Sequence, residues 1–508
     1  MPAIMPVRPL SPTAPLAAID IGSNSFRLEI GQLQHGRYRR IAYLKDTVRL
    51  GGGLDGNGYL TEAAAQRGLD CLRGFAQRLQ GFVPAQVRAV ATQTLREARN
   101  RNDFLLRAEA ALGFPIEVIS GREEARLIYA GVSFLQPGNA PRLVIDIGGR
   151  STEMILGQAR TPLVAESFQV GSVSLSMRWF PDGRFTEQAF RDAQVAAGAE
   201  LEEALAPFAP QHWQEALGSS GTAGAVSQIL AAAGLSDGSI TPDGLRWCMQ
   251  QCLAAGSIDR LNLPSLREDR KSIIGGGLAL LYTLATHFGI EHLRPAKGAL
   301  RQGVIVDLHE RHQALHHSGA GDMRDHSVAE LQARFAVDTA QAARVRQVAT
   351  ALLRAAWGDD EADAEALREL GWVCDLHEIG LMVSHHDHHR HCAYLIGHAD
   401  APGFSQSQQR RMGELALGQR GGLRKLEAAL SNELFAWQVL ALRLAVIKCH
   451  ARGVVDAKAL KLRRDGRTAR LSLSRAWGEA HPRTMHLLRD EAEAWSRQSV
   501  LKLVLVET

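Results

Sequence analysis

The sequence predicts an α/β fold whose N-terminal half is duplicated, followed by an all-helical region and a small α+β region at the C-terminus. Three observations predict this class. A strand–turn–strand pattern at 16–34 recurs at 142–158, and strand and helix patterns alternate through this half of the chain. Residues 327–450 are rich in Ala, Leu and Arg at helical spacing, with few strand patterns.

The duplicated pattern has the same plan in both copies. Each copy begins with an apolar run that ends in an aspartate, Asp20 or Asp146, and continues with Ile-Gly, small polar residues and a second strand. The first copy reads LAAID, IGSNS, FRLEIGQL, and the second reads RLVID, IGGRST, EMILGQ. We therefore expect one αβ domain to occur twice.

Further elements follow these copies in order. A Gly-rich loop at 51–58 precedes a helix that starts near Thr61, and the strands VRAVAT and PIEVIS enclose a helix near 100–112. Another helix begins at Ser120, and GSSGTAGA predicts a loop at 218–225. At the C-terminus, ARLSLS and VLKLVLVE predict two strands with a helix between them.

These patterns divide the chain into five predicted segments. They are a flexible Pro-rich leader at 1–15, αβ domains at 16–138 and 139–309, a helical domain at 310–452 and a small α+β domain at 453–508.

The composition is that of a globular protein, with 508 residues of which 45% are hydrophobic and 22% charged. No apolar run reaches the roughly 18 residues of a membrane-spanning helix, and the Pro-rich start lacks the apolar core of a signal peptide. Six cysteines without a CxxC pair predict a reducing compartment. We expect the cytoplasm, with peripheral association with the inner membrane at most. Cys248 and Cys252, at i and i+4, are expected to be core residues of one helix.

The net charge of +4 is too small to predict nucleic-acid binding. Arginine dominates the basic residues, and its planar fork suits phosphate recognition. The codon usage of a GC-rich genome explains the same bias. The arginine content alone therefore does not predict an anionic ligand, and a specific binding site is needed as further evidence.

The two Asp-Ile-Gly turns provide such a site. Glycines let the backbone approach a ligand, and exposed N–H groups in a turn form a nest for an anion. Hydroxyl and amide donors add to these groups, and an aspartate at a strand end suits hydrated Mg²⁺ on phosphate oxygens. The donors are Ser23, Asn24 and Ser25 in the first turn and Ser151 and Thr152 in the second. The alternative is a pair of tight hairpins with polar tips.

The helix that begins at Ser120 carries two adjacent acids. Ser120 and Glu123 fit a capping box, in which the Glu123 side chain folds back to the Ser120 N–H. Glu124 lies about 100° further around the helix, so it is the candidate base that orients a water. A surface acid favoured by the helix dipole is the alternative for Glu124. Arg96, after a strand end, is suited to clamp a phosphate or to pair with an acid such as Glu97.

Three other patterns are less specific. Gly51, Gly53 and Gly56 match a dinucleotide fingerprint by chance, since the acid expected about 20 residues later is missing. A histidine cluster spans 377–398, for which metal ligation, the path of an anionic ligand and ordinary core or surface histidines are alternatives. The basic stretch 458–470 fits a polyanion contact or a solvated face.

Six segments together resemble the exopolyphosphatase / guanosine pentaphosphate phosphohydrolase family, in family order and over nearly all of residues 16–508. They are AAIDIGSNSFRLEI, VATQTLREA, ISGREEARLIYAGV, LVIDIGGRSTEMILG, SSGTAGA and KGALRQGVIVDL. The resemblance implies two duplicated αβ domains of the actin, Hsp70 and sugar-kinase type with the active cleft between them. It also implies a helical HD-like domain and a small C-terminal domain. His377-Glu378 stands where HD phosphohydrolases have His-Asp, which puts a metal centre there in doubt.

The resemblance implies Mg²⁺-dependent release of orthophosphate from the end of a phosphoanhydride chain, with K⁺ as a possible stimulating cation. Glu124 would orient the attacking water, with Asp146 and Glu153 beside the metal or that water. Homodimers are common in the family, and long polyphosphate is thought to run through a basic channel. The residues implied to hold terminal phosphates are Asp20, Ser23, Asn24, Ser25, Arg96, Gly148, Gly149 and Ser151.

One residue departs from the family pattern. Arg150 occupies a position in the second turn that is usually Gly or another small residue. Its side chain is expected to obstruct the turn, point outward or add a donor to the phosphate. The predicted activity is processive hydrolysis of inorganic polyphosphate, and the nearest alternative is removal of the 5′-terminal phosphate of guanosine pentaphosphate. A non-catalytic polyphosphate or nucleotide sensor is a third hypothesis. A sugar or acetate kinase has no evident use for the Glu-Glu helix.

Overall fold

The computed structural model describes residues 11, 13–316, 322–357, 364–453, 456, 459–498 and 500–507. Ser11–Ala320 form one compact unit, and Gly321–Thr508 belong to a second. Most of the predicted leader, and Lys458 of the basic stretch, lie outside the described residues.

The first unit begins with a five-stranded sheet in the order β3-β2-β1-β4-β5. The first three strands are antiparallel, whereas β4 and β5 follow helical crossovers and run parallel to β1. The strands are Leu16–Ile21 (β1), Phe26–Gln34 (β2), Arg37–Asp46 (β3), Val87–Ala91 (β4) and Ile116–Val118 (β5). The helices are Glu62–Arg78 (α1), Gln93–Glu97 (α2), Arg101–Leu112 (α3) and Gly121–Leu135 (α4).

The second half of this unit repeats the same strand order, β8-β7-β6-β9-β10. The strands are Arg142–Ile147 (β6), Thr152–Gln158 (β7), Thr161–Phe168 (β8), Glu215–Ser219 (β9) and Leu293–Pro295 (β10). The helices are Ser172–Trp179 (α5), Glu187–Glu200 (α6), Ser220–Ala232 (α7), Pro242–Ala255 (α8), Glu268–Lys271 (α9), Ile274–His287 (α10) and Leu300–His316 (α11). The identical order confirms the predicted duplication, and we call the two halves the first and second repeats.

The two repeats share an apolar core. Helices α4 and α11 contribute Leu127 and Val304 to a buried cluster that also contains Val90 of the first sheet and Val144 of the second. The two helices touch through their backbones, since a Cβ at Gly303 would lie 1.7 Å from the Leu127 carbonyl oxygen. Helix α11 continues past the predicted domain boundary at 309/310.

Two details of the first unit differ from or refine the sequence prediction. The GSSGTAGA segment is not a loop, because it contains the end of β9 and the first turns of α7. Small residues mark loops in sequence, but here they let Gly218 lie directly against Ala223 and Leu293. Cys248 and Cys252 are both buried on α8, as predicted.

The second unit is helical over its described residues from 322 to 453, as predicted. The helices are Met323–Arg334 (α12), Thr339–Trp357 (α13), Ala364–Leu376 (α14), His388–His398 (α15), Gln406–Gly418 (α16) and Glu433–Lys448 (α17). The chain then forms Lys461–Asp465 (β11), Thr468–Leu473 (β12), Arg475–Ala480 (α18), Pro482–Ser496 (α19) and Lys502–Glu507 (β13). Strand β11 falls in the basic stretch. Trp437, Leu471 and Trp495 belong to one buried cluster, so the helical and α+β parts share a core.

No helix among the described residues is both long enough and apolar enough to cross a membrane.

Candidate active site

A cavity of about 390 Å³ opens between the two repeats, where the Asp-Ile-Gly turns meet. Most of the predicted site residues line it. They are Asp20, Ser23, Asn24, Ser25, Glu124, Asp146, Gly148, Gly149 and Ser151. Arg96 and Glu153 do not line the cavity, but each lies against residues that do. The structure therefore brings together residues from four separate segments of the sequence.

The two turns abut each other. A Cβ at Gly149 would lie 3.2 Å from the Ser23 Cβ and 3.6 Å from the Asn24 nitrogen, so a side chain at this point would crowd the first turn. The first turn is held by the Ser23 carbonyl, which accepts from the Gly51 N–H at 2.7 Å, and by a hydrogen bond from Thr94 Oγ1 to Ser23 Oγ at 2.7 Å. The second turn is closed by the Gly148 N–H, which donates to the Ser151 carbonyl at 2.9 Å.

The aspartates near the ends of β1 and β6 have different surroundings. Asp20 Oδ2 accepts from Arg27 Nη1 at 3.1 Å and lies 3.5 Å from Arg301 Nη1. Asp146 is buried, and burial raises its pKa against the opposing effects of nearby Ser219 and Arg27. Asp20 is therefore a partner in an ion pair, whereas burial makes the charged form of Asp146 less favourable than it is in water.

Glu124 has the properties of a general base. Burial raises its pKa to about 7, against the attraction of Arg96, and the charges of Asp20 and Asp146 raise it further. Arg96 Nη1 donates to Glu124 Oε2 at 2.9 Å and to the Ile119 carbonyl at 3.0 Å. A carboxyl group with this pKa gains and loses its proton near neutral pH, and its deprotonated form can accept a proton from water. The buried Arg96 Nη2 has no hydrogen-bond partner among the residues that the structure describes.

Glu153 forms the back of this acidic group. It is buried on β7 opposite Asp146, and Ser167 Oγ donates to its Oε1 at 2.9 Å. Burial raises its pKa well above the ordinary range, and the charges of Glu124 and Asp146 act in the same direction.

Glu123, the other acid in the first turn of α4, has partners different from those of Glu124. The Glu123 N–H donates to Ser120 Oγ at 3.2 Å, so the predicted N-cap is present. The Glu123 carboxylate accepts from Arg126 at 2.7 and 2.9 Å and lies 3.5 Å from Arg88. The capping box predicts that the Glu123 side chain folds back to the Ser120 N–H. In the structure this side chain instead contacts the buried Arg126 and Arg88.

The acidic group suits a Mg²⁺ ion. The charge of Asp146 raises the pKa of Glu124, and both charges raise the pKa of Glu153, so the site holds negative charge that a cation would neutralise. No cluster of three or more His, Cys, Asp or Glu side chains in the described part of the chain is arranged to enclose a metal. Mg²⁺ commonly needs only one or two carboxylates together with waters and substrate phosphates. Asp146, which lines the cavity, fits that requirement, with the buried Glu153 opposite it on β7.

Arg150 points away from the second turn. Its Nε and Nη2 donate to Glu97 Oε2 at 3.1 and 2.7 Å, and its Nη1 donates to the Gly51 carbonyl at 3.3 Å. These partners belong to the first repeat, so the long side chain is accommodated between the repeats and leaves the glycine turn clear.

The sequence did not identify the basic residues of the cavity. They are Arg27, Arg40, Lys45, Arg267, Arg270, Lys297 and Arg301. Arg27 lies inside the first quoted motif, and Lys297 and Arg301 lie inside KGALRQGVIVDL, so their position in these motifs was an available signal. The other four come from segments without a recognisable pattern.

The histidine cluster in the second unit has mixed surroundings. His377 is buried with Nδ1 2.7 Å from the Cys374 carbonyl. Burial and the nearby charge of Lys425 lower the pKa of His389 to about 4, whereas His385 and His386 are exposed. The HD-like character of this domain stays a prediction.

Two family models match the chain. The Ppx/GppA phosphatase family model matches residues 30–312, and the model of Ppx/GppA phosphatase domain III matches residues 323–492.

Solved structures show the same fold over about three fifths of this chain. An exopolyphosphatase-like protein is 24% identical with a TM-score of 0.53 and covers 59% of this chain and 99% of its own. An exopolyphosphatase from Cytophaga hutchinsonii is 23% identical with a TM-score of 0.53, covering 59% and 98%. The Aquifex aeolicus member of the Ppx/GppA family is 24% identical with a TM-score of 0.50, covering 60% and 99%. With the family models spanning most of the chain, this protein belongs to the Ppx/GppA phosphatase family.

Proposed function

We propose that the protein is an exopolyphosphatase that hydrolyses the terminal phosphoanhydride bond of inorganic polyphosphate and releases orthophosphate. The observation that carries the proposal is the position of Glu124. It faces the cavity beside the two Asp-Ile-Gly turns, and its pKa is raised to about 7. Arg96 Nη1 donates to its Oε2 at 2.9 Å and so fixes the carboxylate. Hydrolysis of this bond needs an oriented water, a proton acceptor and neutralisation of the phosphate charge.

In the proposed reaction, Glu124 accepts a proton from water as the water oxygen forms a bond to the terminal phosphorus. The bond from that phosphorus to the bridging oxygen breaks, and the shortened chain leaves with the electron pair. The glycine turns and Arg96 hold the terminal phosphate, with the unpartnered Arg96 Nη2 available as a further donor. Bound Mg²⁺, held by Asp146 and Glu153, would supply charge neutralisation on the phosphate oxygens.

The basic lining of the cavity favours a polyanionic substrate. Burial lowers the pKa of Arg270, and repulsion from Arg27 and Arg267 lowers it further. Burial also lowers the pKa of Lys45. These positive charges repel one another, and the phosphates of a bound chain would neutralise them, which supports a chain of phosphates as the ligand.

Guanosine pentaphosphate is the second candidate substrate, because one aromatic ring stands at the cavity. Tyr43 lines it with 41% of its surface exposed, and the Arg301 and Arg40 guanidiniums lie 5.2 and 5.7 Å from its ring centroid. A ring in this position can stack on a base. Both substrates would be cleaved by the same chemistry.

The test is phosphate release with Mg²⁺ from long-chain polyphosphate and guanosine pentaphosphate in parallel, with products resolved by length. We expect release from polyphosphate without intermediate lengths, and a loss of at least about 100-fold in Glu124→Gln. Glu203→Gln, an exposed acid of the same unit, should retain wild-type activity. Preference for the nucleotide would select the second candidate. Equal release by wild type and Glu124→Gln would contradict the assignment of Glu124.

We further propose that the protein acts as a homodimer in the cytoplasm. Size measurement in solution and cell fractionation would test these two expectations.

A further inference from the structure

A chain of hydrogen bonds leads from Arg150 to Glu124. Arg150 Nη2 donates to Glu97 Oε2 at 2.7 Å, and Gln93 Nε2 donates to the other oxygen of Glu97 at 2.6 Å. Arg96 Nε donates to Gln93 Oε1 at 2.8 Å, and Arg96 Nη1 donates to Glu124 at 2.9 Å. Every link therefore has the distance of a normal or charge-assisted hydrogen bond.

The chain connects the two repeats. Arg150 belongs to the second Asp-Ile-Gly turn, in the second repeat. The other four residues belong to the first repeat, where Gln93, Arg96 and Glu97 lie on α2 and Glu124 lies on α4. Other ion pairs also cross between the repeats, among them Lys45–Asp269 at 3.1 Å, Arg122–Glu166 at 2.7 Å and Arg88–Asp307 at 2.6 Å. From the Arg150–Glu97 pair, side-chain hydrogen bonds continue through Gln93 and Arg96 to the proposed base.

The first repeat provides a fitted position for Arg150. A Cβ at Gly51 would lie 2.8 Å from the Arg150 Cδ, so the glycine leaves room for the side chain to pass. The Arg150 and Glu97 side chains are only 23% and 28% exposed, which limits the screening of their charges by solvent. A guanidinium that makes two bonds to one carboxylate also fixes the orientation of that carboxylate.

We propose that Arg150 is a positioning residue that acts through Glu97 and Gln93 on Arg96, and so holds Glu124 in place for the reaction. This role rests on the proposed function, since it concerns the same base. It gives the unusual arginine in the second turn a purpose that a small residue cannot serve. It also makes the alignment of Glu124 depend on the approach of the two repeats.

Kinetics of variants test the positioning role. Arg150→Ala and Glu97→Ala should each lower kcat on polyphosphate about 10-fold, since small misplacements of catalytic groups have effects of this size or larger. KM should change less than about twofold, because Arg150 does not line the cavity. The double variant should lose no more than either single variant, since both remove the same chain. Arg107→Ala, which removes an Arg–Glu pair within the first repeat, is the matched control and should be neutral.

Chemical rescue separates positioning from general damage to the fold. Methylguanidinium at a non-denaturing concentration should restore part of the kcat of Arg150→Ala and none of that of Glu97→Ala. A wild-type kcat in Arg150→Ala, or losses that add in the double variant, would overturn the proposal.

A measurement without substrate keeps this proposal distinct from the proposed function. Spin labels at Leu106→Cys on α3 and Val195→Cys on α6 report the distance between the repeats, since both positions are exposed and the six native cysteines are buried. The distance distribution should broaden in Arg150→Ala and Glu97→Ala but not in Arg107→Ala. Superimposable distributions would overturn the bridge between the repeats. Lack of phosphate release by the wild type would instead overturn the proposed function.

Discussion

The two Asp-Ile-Gly turns are copies of one motif, but the residues that lie across from their aspartates have opposite charges. In the first repeat, Asp20 of β1 lies directly across from Arg27 of β2. In the second repeat, Asp146 of β6 lies across from Glu153 of β7 at the equivalent register. One copy therefore pairs its aspartate with a cation, and the other places a second carboxyl group beside it.

This difference assigns separate chemistry to the two sides of the cavity. Arg27 and Arg301 neutralise Asp20, so the first turn lies among cations suited to an anion. Burial raises the pKa of Asp146 and of Glu153, and the charge of Asp146 adds to the effect on Glu153, so the second side holds carboxyl groups suited to a proton or a cation. The two repeats have the same backbone arrangement, and the residue opposite each aspartate determines what that side of the cavity is suited to bind.

The largest expected effect tests the two aspartates against each other. Asp146→Asn should lower kcat on polyphosphate by about 100-fold and raise the Mg²⁺ concentration for half-maximal rate, since it removes a proposed metal ligand. Asp20→Asn should lower kcat by about 10-fold or less, because Arg27 and Arg301 remain available to bind phosphate. Steady-state rates over a Mg²⁺ titration measure both. Equal losses with unchanged Mg²⁺ dependence would contradict the separation of roles.

The pH dependence of the rate is the next largest effect. Glu124, with a pKa near 7, must be deprotonated to accept a proton from water. The rate should therefore fall about 10-fold for each pH unit below that value and level off above it. Initial rates between about pH 5 and pH 8 measure this, with return to high pH as the control for unfolding. A flat profile across this range would show that another group accepts the proton.

Local patterns predicted much of the fold and part of the site. The two strands that carry Asp20 and Asp146, the start of α4 at Ser120 and the choice of Glu124 all follow from short-range spacing. The structure places Asp20, Asp146 and Glu124 around one cavity. The pairing of Arg96 with Glu124 joins residues 28 positions apart, and the resemblance to a family placed both at the site.

Long-range placement accounts for what the sequence did not predict. Lys45, Arg267 and Arg270 enter the cavity from β3 and from the segment around α9, and no local pattern marks them. The partner of Arg150 is 53 residues away on the other repeat, so spacing alone left three alternatives for its side chain. Glu123 was assigned to its own helix cap because the buried arginines that bind it were not visible as a motif.

The smallest expected effect concerns stability and extends the comparison to the fold itself. Because the pKa of Glu153 is raised on folding, the folded state favours its protonated form, and the stability that this provides is lost as pH rises above the usual glutamate range. Glu153→Gln should therefore stabilise the metal-free protein by about 1–3 kcal/mol at pH 8 and have little effect near pH 4. Thermal unfolding in EDTA at both pH values measures the difference, with Glu203→Gln as the control for losing an exposed charge. A variant that is less stable at the higher pH would show that ionised Glu153 is favourably paired in the fold, and the contrast with Asp20 would then disappear.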